Sequence, residues 1–203
     1  MYIRNANIQP SKMYKQLLDH IKKTSPEYPE EDLNNLLRYF NVKKVSKGDL
    51  LYKAGSICRN GYFVVEGCFR YFMINSEGNE FNTQFAFEDY WMGDMPGLLN
   101  NLPSKINCQA LEDSTILVIS ATDYNYLLNN AHSYALYTLK LRSKSSDSRM
   151  NHANEFHECA EIRYLNLLSK YPTITQRVSQ YHIASYLGIT PESLSRLRKK
   201  IAS

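Results

Sequence analysis

Apolar residues follow a helical spacing at both ends of the chain and a strand-like spacing between them. A helix is predicted near Lys12–Lys23 and a second one after Pro29, where apolar residues recur at helical intervals (Leu33, Leu36, Leu37 and Phe40). Seven short β-rich runs then alternate with turn-forming residues: Val42–Val45, Leu50–Tyr52, Tyr62–Glu66, Phe69–Ile74, Phe81–Phe87, Ile106–Ala110 and Thr115–Ile119. Their number and spacing predict an antiparallel sandwich or barrel flanked by helices, an α+β fold, and not a parallel βαβ sheet.

Helical spacing returns after Ser120 and continues to the end of the sequence. A short helix is predicted over Ala121–Asn130, and the stretch from His132 to about His157 contains neither Gly nor Pro. Within it, residues follow the alternating 3,4 spacing of a heptad seam: Leu136, Leu139, Ser143, Ser146, Met150, Ala153 and His157. The seam predicts a homodimer formed by pairing of this helix. The alternative is that the helix packs back on the β domain of its own chain.

The last segment is predicted to form three helices, about Cys159–Lys170, Gln180–Leu187 and Pro191–Ile201. The net charge is +4, and residues 160–203 hold seven Lys and Arg against two Asp and Glu. All of the excess positive charge therefore lies in the last fifth of the chain. Such clustering is typical of a nucleic-acid-binding module, although a solvated basic tail would give the same count.

The order of capping and apolar residues over 179–201 predicts a helix-turn-helix. Ser179 is placed to cap the first helix and Gly188 to end it, while Thr190 caps the second helix and Pro191 occupies its first position. Apolar residues are spaced so that both helices and the turn share one core, with a small residue at the crossing: Ile183, Leu187, Ile189, Leu194 and Leu197, with Ala184. A generic helical hairpin, the alternative, does not require this combination.

The outer face of the second helix is polar and basic. Its candidate DNA contacts are Thr190, Glu192, Ser193, Ser195, Arg196, Lys199 and Lys200. An arginine matches the O6 and N7 atoms of guanine, a glutamate can accept from cytosine N4 or adenine N6, and the lysines suit phosphate. The alternative role for Arg196 is an internal ion pair with Glu192, four positions earlier.

Over nearly its whole length the chain resembles the Crp/Fnr superfamily of transcription regulators. The sequence Glu192-Ser193-Leu194-Ser195-Arg196 matches the E-x-x-S-R pattern of the Fnr-like recognition helix, which reads half-sites related to TTGA. The run from Glu161 to Pro172 resembles a compact subgroup common in Bacteroidetes. The resemblance implies an antiparallel β-roll (a double-stranded β-helix or jelly roll) with flanking helices, a long dimerisation helix and a small C-terminal helix-turn-helix.

In these terms, residues 1–130 form a cyclic-nucleotide-binding-like effector domain, 131–158 the dimerisation helix and 159–203 the DNA-binding domain. Relatives usually continue into a β-hairpin wing, whereas this sequence ends at Ser203. Without a full wing we expect fewer phosphate contacts and modest DNA affinity.

The resemblance also places an effector pocket at Gly93, Asp94, Ser104 and Lys105. Relatives that bind cyclic AMP carry a Glu at the position of Asp94, and an Arg followed by Ser or Thr at the positions of Ser104 and Lys105. Lysine offers a phosphate only a point charge, not the two parallel bonds of arginine. We therefore expect a degenerate pocket or an effector other than cyclic AMP, and no cofactor.

Other classes of protein find little support in the sequence. There is no glycine-rich phosphate loop, HExxH or GxSxG motif, so an enzyme is not expected, and four cysteines without a CxxC pair predict free thiols and no metal site. Short apolar runs and a polar N-terminus predict no membrane span or signal peptide, hence a cytoplasmic protein. The expected partners are double-stranded DNA, a second copy of the chain, a small effector and RNA polymerase. The alternative function is a sensor of the same architecture that acts through protein contacts without binding DNA.

Overall fold

The computed structural model describes residues 12–155 and 157–202, apart from the side chains of residues 147–149, 151–155 and 202. In the described ranges the helices are α1 (Lys12–Thr24), α2 (Glu30–Leu36), α3 (Met95–Asn100), α4 (Ala121–Asn130), α5 (His132–Glu155), α6 (Ala160–Lys170), α7 (Ile174–Arg177), α8 (Gln180–Leu187) and α9 (Pro191–Ala202), with a 3-10 turn at Leu37–Tyr39. The strands are β1 (Asn41–Val45), β2 (Leu50–Tyr52), β3 (Asn60–Glu66), β4 (Phe69–Ile74), β5 (Glu80–Ala86), β6 (Trp91–Met92), β7 (Asn107–Ala110) and β8 (Ser114–Ser120). No helix in these ranges is long and apolar enough to cross a membrane.

The strands form two four-stranded sheets, in the orders β1-β8-β3-β6 and β2-β7-β4-β5, and every pairing is antiparallel. This confirms the predicted α+β class and the antiparallel β-roll. Successive residues of the first sheet alternate between its two faces, so that Tyr62, Val64 and Ile116 point into the space between the sheets and Phe63 and Leu117 point to the outer face. That space is filled by large side chains, and the rings of Tyr52 and Tyr62 stack there with centroids 6.5 Å apart.

A second core joins the outer face of the first sheet to helices α1, α2, α4 and α5. Its fully buried members include Leu17 of α1, Phe63 of β3 and Tyr137 of α5. Tyr137 receives a hydrogen bond from Trp91 Nε1 at 2.7 Å, and its hydroxyl lies 2.9 Å from His20 Nδ1. These bonds fix α5 against β6 and α1.

Helix α5 has one buried and one exposed face. Tyr134 and Thr138 on the inner face are 1% and 5% exposed, so the helix does pack back on its own chain. On the outer face Leu136, Leu139 and Met150 of the predicted seam are 39%, 64% and 64% exposed. The seam position Ala153 lies outside the described side chains. The stripe is thus left uncovered by the chain's own β-roll.

Candidate nucleic-acid interface

The helix-turn-helix is formed by α8, a tight turn and α9. The Ser179 hydroxyl accepts from the backbone N–H of His182, and Gly188 ends α8 in the left-handed conformation, with φ 65°. The Thr190 hydroxyl accepts from the N–H of Ser193 at 3.2 Å, and Pro191 is the first residue of α9. Each capping role predicted from the sequence is therefore confirmed.

The two helices share the predicted core. Ile183, Ala184, Leu187 and Leu194 are each at most 2% exposed. Ala184 lies where a larger side chain would separate the helices, and its carbonyl accepts from the N–H of Ile189 in the turn. The angle between α8 and α9 is consequently fixed by close packing.

The outward face of α9 is available for contact. Glu192, Ser195, Arg196 and Lys199 are exposed. Within the described residues Arg196 forms no ion pair with Glu192, so the internal pairing considered from the sequence is absent. Backbone and Thr190 hydrogen bonds, aided by the charge of Arg196, hold the pKa of Glu192 below its ordinary value. Glu192 is therefore a carboxylate acceptor at neutral pH.

Three other candidates have contacts within the chain. The hydroxyls of Thr190 and Ser193 bond each other at 3.1 Å, in addition to the capping bond. Lys200 Nζ lies 2.6 Å from Glu161 Oε2 of α6. A phosphate would have to compete with Glu161 for this ammonium group, whereas Lys199 has no such competitor among the described residues.

Helix α8 is docked on strand β5 of the same chain by hydrogen bonds. The N–H of Asn82 donates to Ser185 Oγ at 3.0 Å, and that hydroxyl donates to the carbonyl of Glu80 at 3.1 Å. Asn82 Nδ2 donates to the carbonyl of His182 at 3.1 Å. Beside these bonds an apolar layer joins Phe85 of β5 to Ile183. The position of the helix-turn-helix is thus set by the β-roll.

Arg70 lies beneath this contact and is 4% exposed. Its guanidinium donates to Glu80 Oε2 at 2.6 Å and to Asn82 Oδ1 at 3.3 Å, and it lies 3.3 Å from His182 Nδ1. Since Arg70 can only donate, His182 Nδ1 must accept and the imidazole is neutral. Burial, and then the charge of Arg70, lowers the pKa of His182. Sequence analysis missed this group, although an arginine inside the apolar run Phe69–Ile74 was a signal for it.

We expect His182→Gln to reduce the loss of stability on acidification. The folded pKa of His182 lies below the ordinary value of 6.5, so the unfolded chain takes up the proton first. The stabilisation is complete above pH 6.5 and is lost as the pH falls below it, by at most about 1.4 kcal/mol per pH unit. Urea unfolding at pH 7.5 and 5.5 measures how much stability each protein loses on acidification. If the wild type and His182→Gln lose the same amount, the lowered pKa of His182 is contradicted. His20→Gln is a second variant for comparison. Because burial also lowers the pKa of His20, this change should likewise reduce the stability lost on acidification.

A second contact between the C-terminal helices and the β-roll is centred on Arg177, the last residue of α7. Its Nη1 and Nη2 atoms donate to the two carboxylate oxygens of Glu88 at 2.8 and 2.7 Å, and Nη2 also bonds Glu112. The guanidinium lies over the ring of Phe87, 5.0 Å from its centroid. Burial opposes ionisation of Glu88, but bonds from Arg177 and the N–H of Gly67 hold its pKa below the ordinary value. The bonds to Glu88 and Glu112 raise the pKa of Arg177.

Replacing Arg177 with methionine should destabilise this contact by about 1–3 kcal/mol, because two neighbouring carboxylates lose a shared donor while the apolar stem is kept. Urea unfolding measures the free energy, and hydrogen exchange should show faster exchange of the α8 amides. Arg38→Met is the control, since Arg38 is exposed and its guanidinium contacts the Tyr39 ring. A loss no larger than that of the control would show that the cluster contributes nothing to docking.

The four residues that the family resemblance assigned to an effector pocket have local structural contacts or are exposed. Gly93 has φ 149°, and a Cβ there would lie 3.1 Å from Leu98 Cδ1. The Asp94 carboxylate caps α3 by accepting from the N–H of Gly97 at 3.0 Å. The Ser104 hydroxyl closes a turn with the backbone of Ile106, and Lys105 is exposed. The side chains of Asp94 and Ser104 are thus already engaged in hydrogen bonds within the chain.

Comparison with known proteins adds a family context. Residues 42–131 match the family model of the cyclic nucleotide-binding domain. The chain is 26% identical over 189 residues to the fumarate and nitrate reduction regulatory protein of Yersinia pestis, covering 86% of this chain and 73% of that protein. It is 27% identical over 113 residues to the probable transcriptional regulator flp of Lacticaseibacillus casei, covering 52% of each. The chain thus spans about half the length of the second of these relatives.

Among solved structures, FixK2 from Bradyrhizobium japonicum is similar, with a TM-score of 0.70 and 16% identity over 80% of this chain and 84% of that one. At this identity the likeness concerns the fold. The structural similarity extends beyond the β-roll, since it covers 80% of this chain, whereas the cyclic nucleotide-binding domain model matches only residues 42–131.

Proposed function

Because the chain belongs to the Crp/Fnr family of transcription regulators, we propose that it regulates transcription by binding double-stranded DNA as a homodimer through α8 and α9. The observation that carries the proposal is the exposed Arg196, which forms no ion pair within the described residues and lies on a capped helix whose other face is buried. As the proposed partner is chromosomal DNA, we place the protein in the cytoplasm. We assign it no enzymatic activity because the relatives it matches are named as regulators.

The proposed reading of DNA follows from the order of side chains along α9. Glu192 and Arg196 are four residues apart and hence neighbours on one helix face. In the major groove the guanidinium would bond a guanine at two points while the carboxylate accepts from a neighbouring base. Lys199 follows one turn later, where the helix would leave the groove and meet phosphate. Thr190 and Ser193 would position the start of the helix, which their capping bonds already fix.

The proposed homodimer uses the outer face of α5. Leucines 136 and 139 and Met150 form an exposed apolar stripe along a 24-residue helix. Pairing with a second copy would bury this stripe and present two recognition helices to a palindromic site. We assign residues 1–130 to the effector domain, 131–158 to the dimerisation helix and 159–203 to DNA binding.

Fluorescence anisotropy with a labelled palindrome of TTGA-type half-sites tests the proposal. The protein should bind this palindrome more tightly than a scrambled duplex. The logarithm of the association constant should fall steeply with the logarithm of salt concentration. Equal affinity for both duplexes at two salt concentrations would reject sequence-specific regulation, and absence of binding would favour a sensor that acts through proteins, including RNA polymerase.

Calorimetric titration with cyclic AMP should show no saturable heat, because Asp94 and Ser104 are engaged within the chain.

A further inference from the structure

A cavity of about 260 Å³ lies between β6 and the helices α1, α3, α4 and α5. Most of its wall is apolar or aromatic, formed by Trp91, Met92, Met95, Leu98, Tyr124, Tyr134 and Leu141. Its volume is near the lower end of the range for small-molecule sites, which are concave, mostly apolar and carry a few placed polar groups. The cavity suits a molecule with one ring or a short chain.

This cavity differs from the pocket that the family resemblance indicated. Of Gly93, Asp94, Ser104 and Lys105, only Gly93 contributes to its lining. The space between the two sheets, by contrast, is filled by aromatic and sulfur-containing side chains, including Tyr52 and Tyr71. A ligand of the effector domain therefore finds room on the helix side of β6.

The charged groups of the cavity favour an anion. Arg142 and Lys144 line it, and both are exposed, so they lie on its solvent side. The closest polar contacts of the Arg142 guanidinium are the Met95 sulfur at 3.8 Å and the Tyr124 hydroxyl at 3.4 Å, neither of which is a carboxylate. No described carboxylate forms an ion pair with either cation.

The remaining titratable groups of the wall do not balance these two cations. Asp89 carries the one carboxylate of the lining, and it already accepts from Gln16 Nε2 at 2.9 Å. His20 is held in a hydrogen bond with Tyr137, and burial lowers its pKa, so the ring is neutral at pH 7. The cavity thus has a net charge of about +1 beside an aromatic wall.

We infer that this cavity binds a small monocarboxylic acid with an apolar body, whose carboxylate bonds Arg142 while the body contacts Trp91 and Tyr124. Arginine suits a carboxylate because it can donate two parallel charge-assisted bonds, and the rings supply large apolar area with favourable edge contacts. The inference rests on the proposed function and deepens it, since it names the chemical class of the effector.

The site also has a direct connection to the dimerisation helix. Thr138, Leu141, Arg142 and Ser145 of α5 all line the cavity. The exposed residues Leu139 and Ser143 lie on the other face of the same turns. An occupant therefore restrains the segment of α5 that the proposed dimer uses.

The test is thermal unfolding and calorimetry of the whole chain with hexanoate, benzoate, 3-phenylpropionate and indole-3-acetate, each beside its primary amide. At least one acid should raise the Tm with saturable binding, and its amide should bind at least about tenfold more weakly, because the bond to a charged group is lost. Arg142→Gln should weaken the same acid by about tenfold, whereas Arg38→Gln, at an exposed arginine outside the cavity, should leave its affinity unchanged. Leu141→Trp should abolish binding by filling the space.

The inference is overturned if none of the four acids binds, if acid and amide bind equally, or if Arg142→Gln retains the wild-type affinity. These measurements use no DNA. DNA binding without any added acid tests the proposed function separately, so the failure of one can be told from the failure of the other.

Discussion

Replacing Met150 with glutamate should convert a dimer to a monomer and abolish binding to palindromic DNA. Met150 is 64% exposed on the outer face of α5, and in a parallel pair the two copies of the residue would face each other. Two carboxylates would then be brought together and removed from water, which costs several kcal/mol. Light scattering should give the mass of one chain, and anisotropy with the palindrome should show no specific binding.

Leu102→Glu is the matched control, since it adds the same charge at a leucine that is 52% exposed and lies outside α5. This variant should remain dimeric and bind DNA as the wild type does. If Met150→Glu keeps the dimer mass, the seam along α5 is not the interface of that dimer.

The second large effect is expected at Arg196. Arg196→Ala should weaken binding to the cognate site by about 1–3 kcal/mol and relax the base preference at one position. The guanidinium is exposed and forms no ion pair within the described residues, so its loss should leave the Tm unchanged. Selection of binding sites from a random library identifies the affected base pair.

Lys199→Ala provides the comparison within the same helix. A phosphate contact carries no sequence information, so this change should weaken all duplexes about equally and reduce the salt slope by about one unit. Should Arg196→Ala behave in the same way, the arginine contacts phosphate. A lower Tm with unchanged base preference would instead assign it a structural role.

Regular elements were predictable wherever the local pattern was long or chemically explicit. The helices Ala121–Asn130 and Gln180–Leu187 begin and end at the predicted residues, because serine caps start both and Gly188 ends the second. The seven predicted strands are present with ends shifted by at most two residues. In these segments sequence-local interactions decide the structure.

Short elements and contacts between residues far apart in the sequence were not predictable in this way. Strand β6 has two residues, α7 four and α3 six, too few to display a period. Asp94 stands where relatives that bind cyclic AMP carry a Glu, yet its carboxylate caps α3 in the folded chain. The partners Arg177 and Glu88 are 89 positions apart, so only the three-dimensional fold brings them together.

The docking of α8 on β5 has a consequence for the geometry of the operator. The helix-turn-helix is joined to the β-roll through α8, by the bonds of Asn82 to Ser185 and His182, and through α7, by the Arg177 cluster, and not only by the chain that follows α5. In the proposed dimer the distance between the two copies of α9 is then fixed by the fold of the protein. Half-sites one turn of DNA apart, about 34 Å, would be bound together only if the fixed distance equals that spacing. Each base pair inserted between them would shift the second half-site along the axis and rotate it around the duplex, so the protein would distinguish spacing as well as sequence.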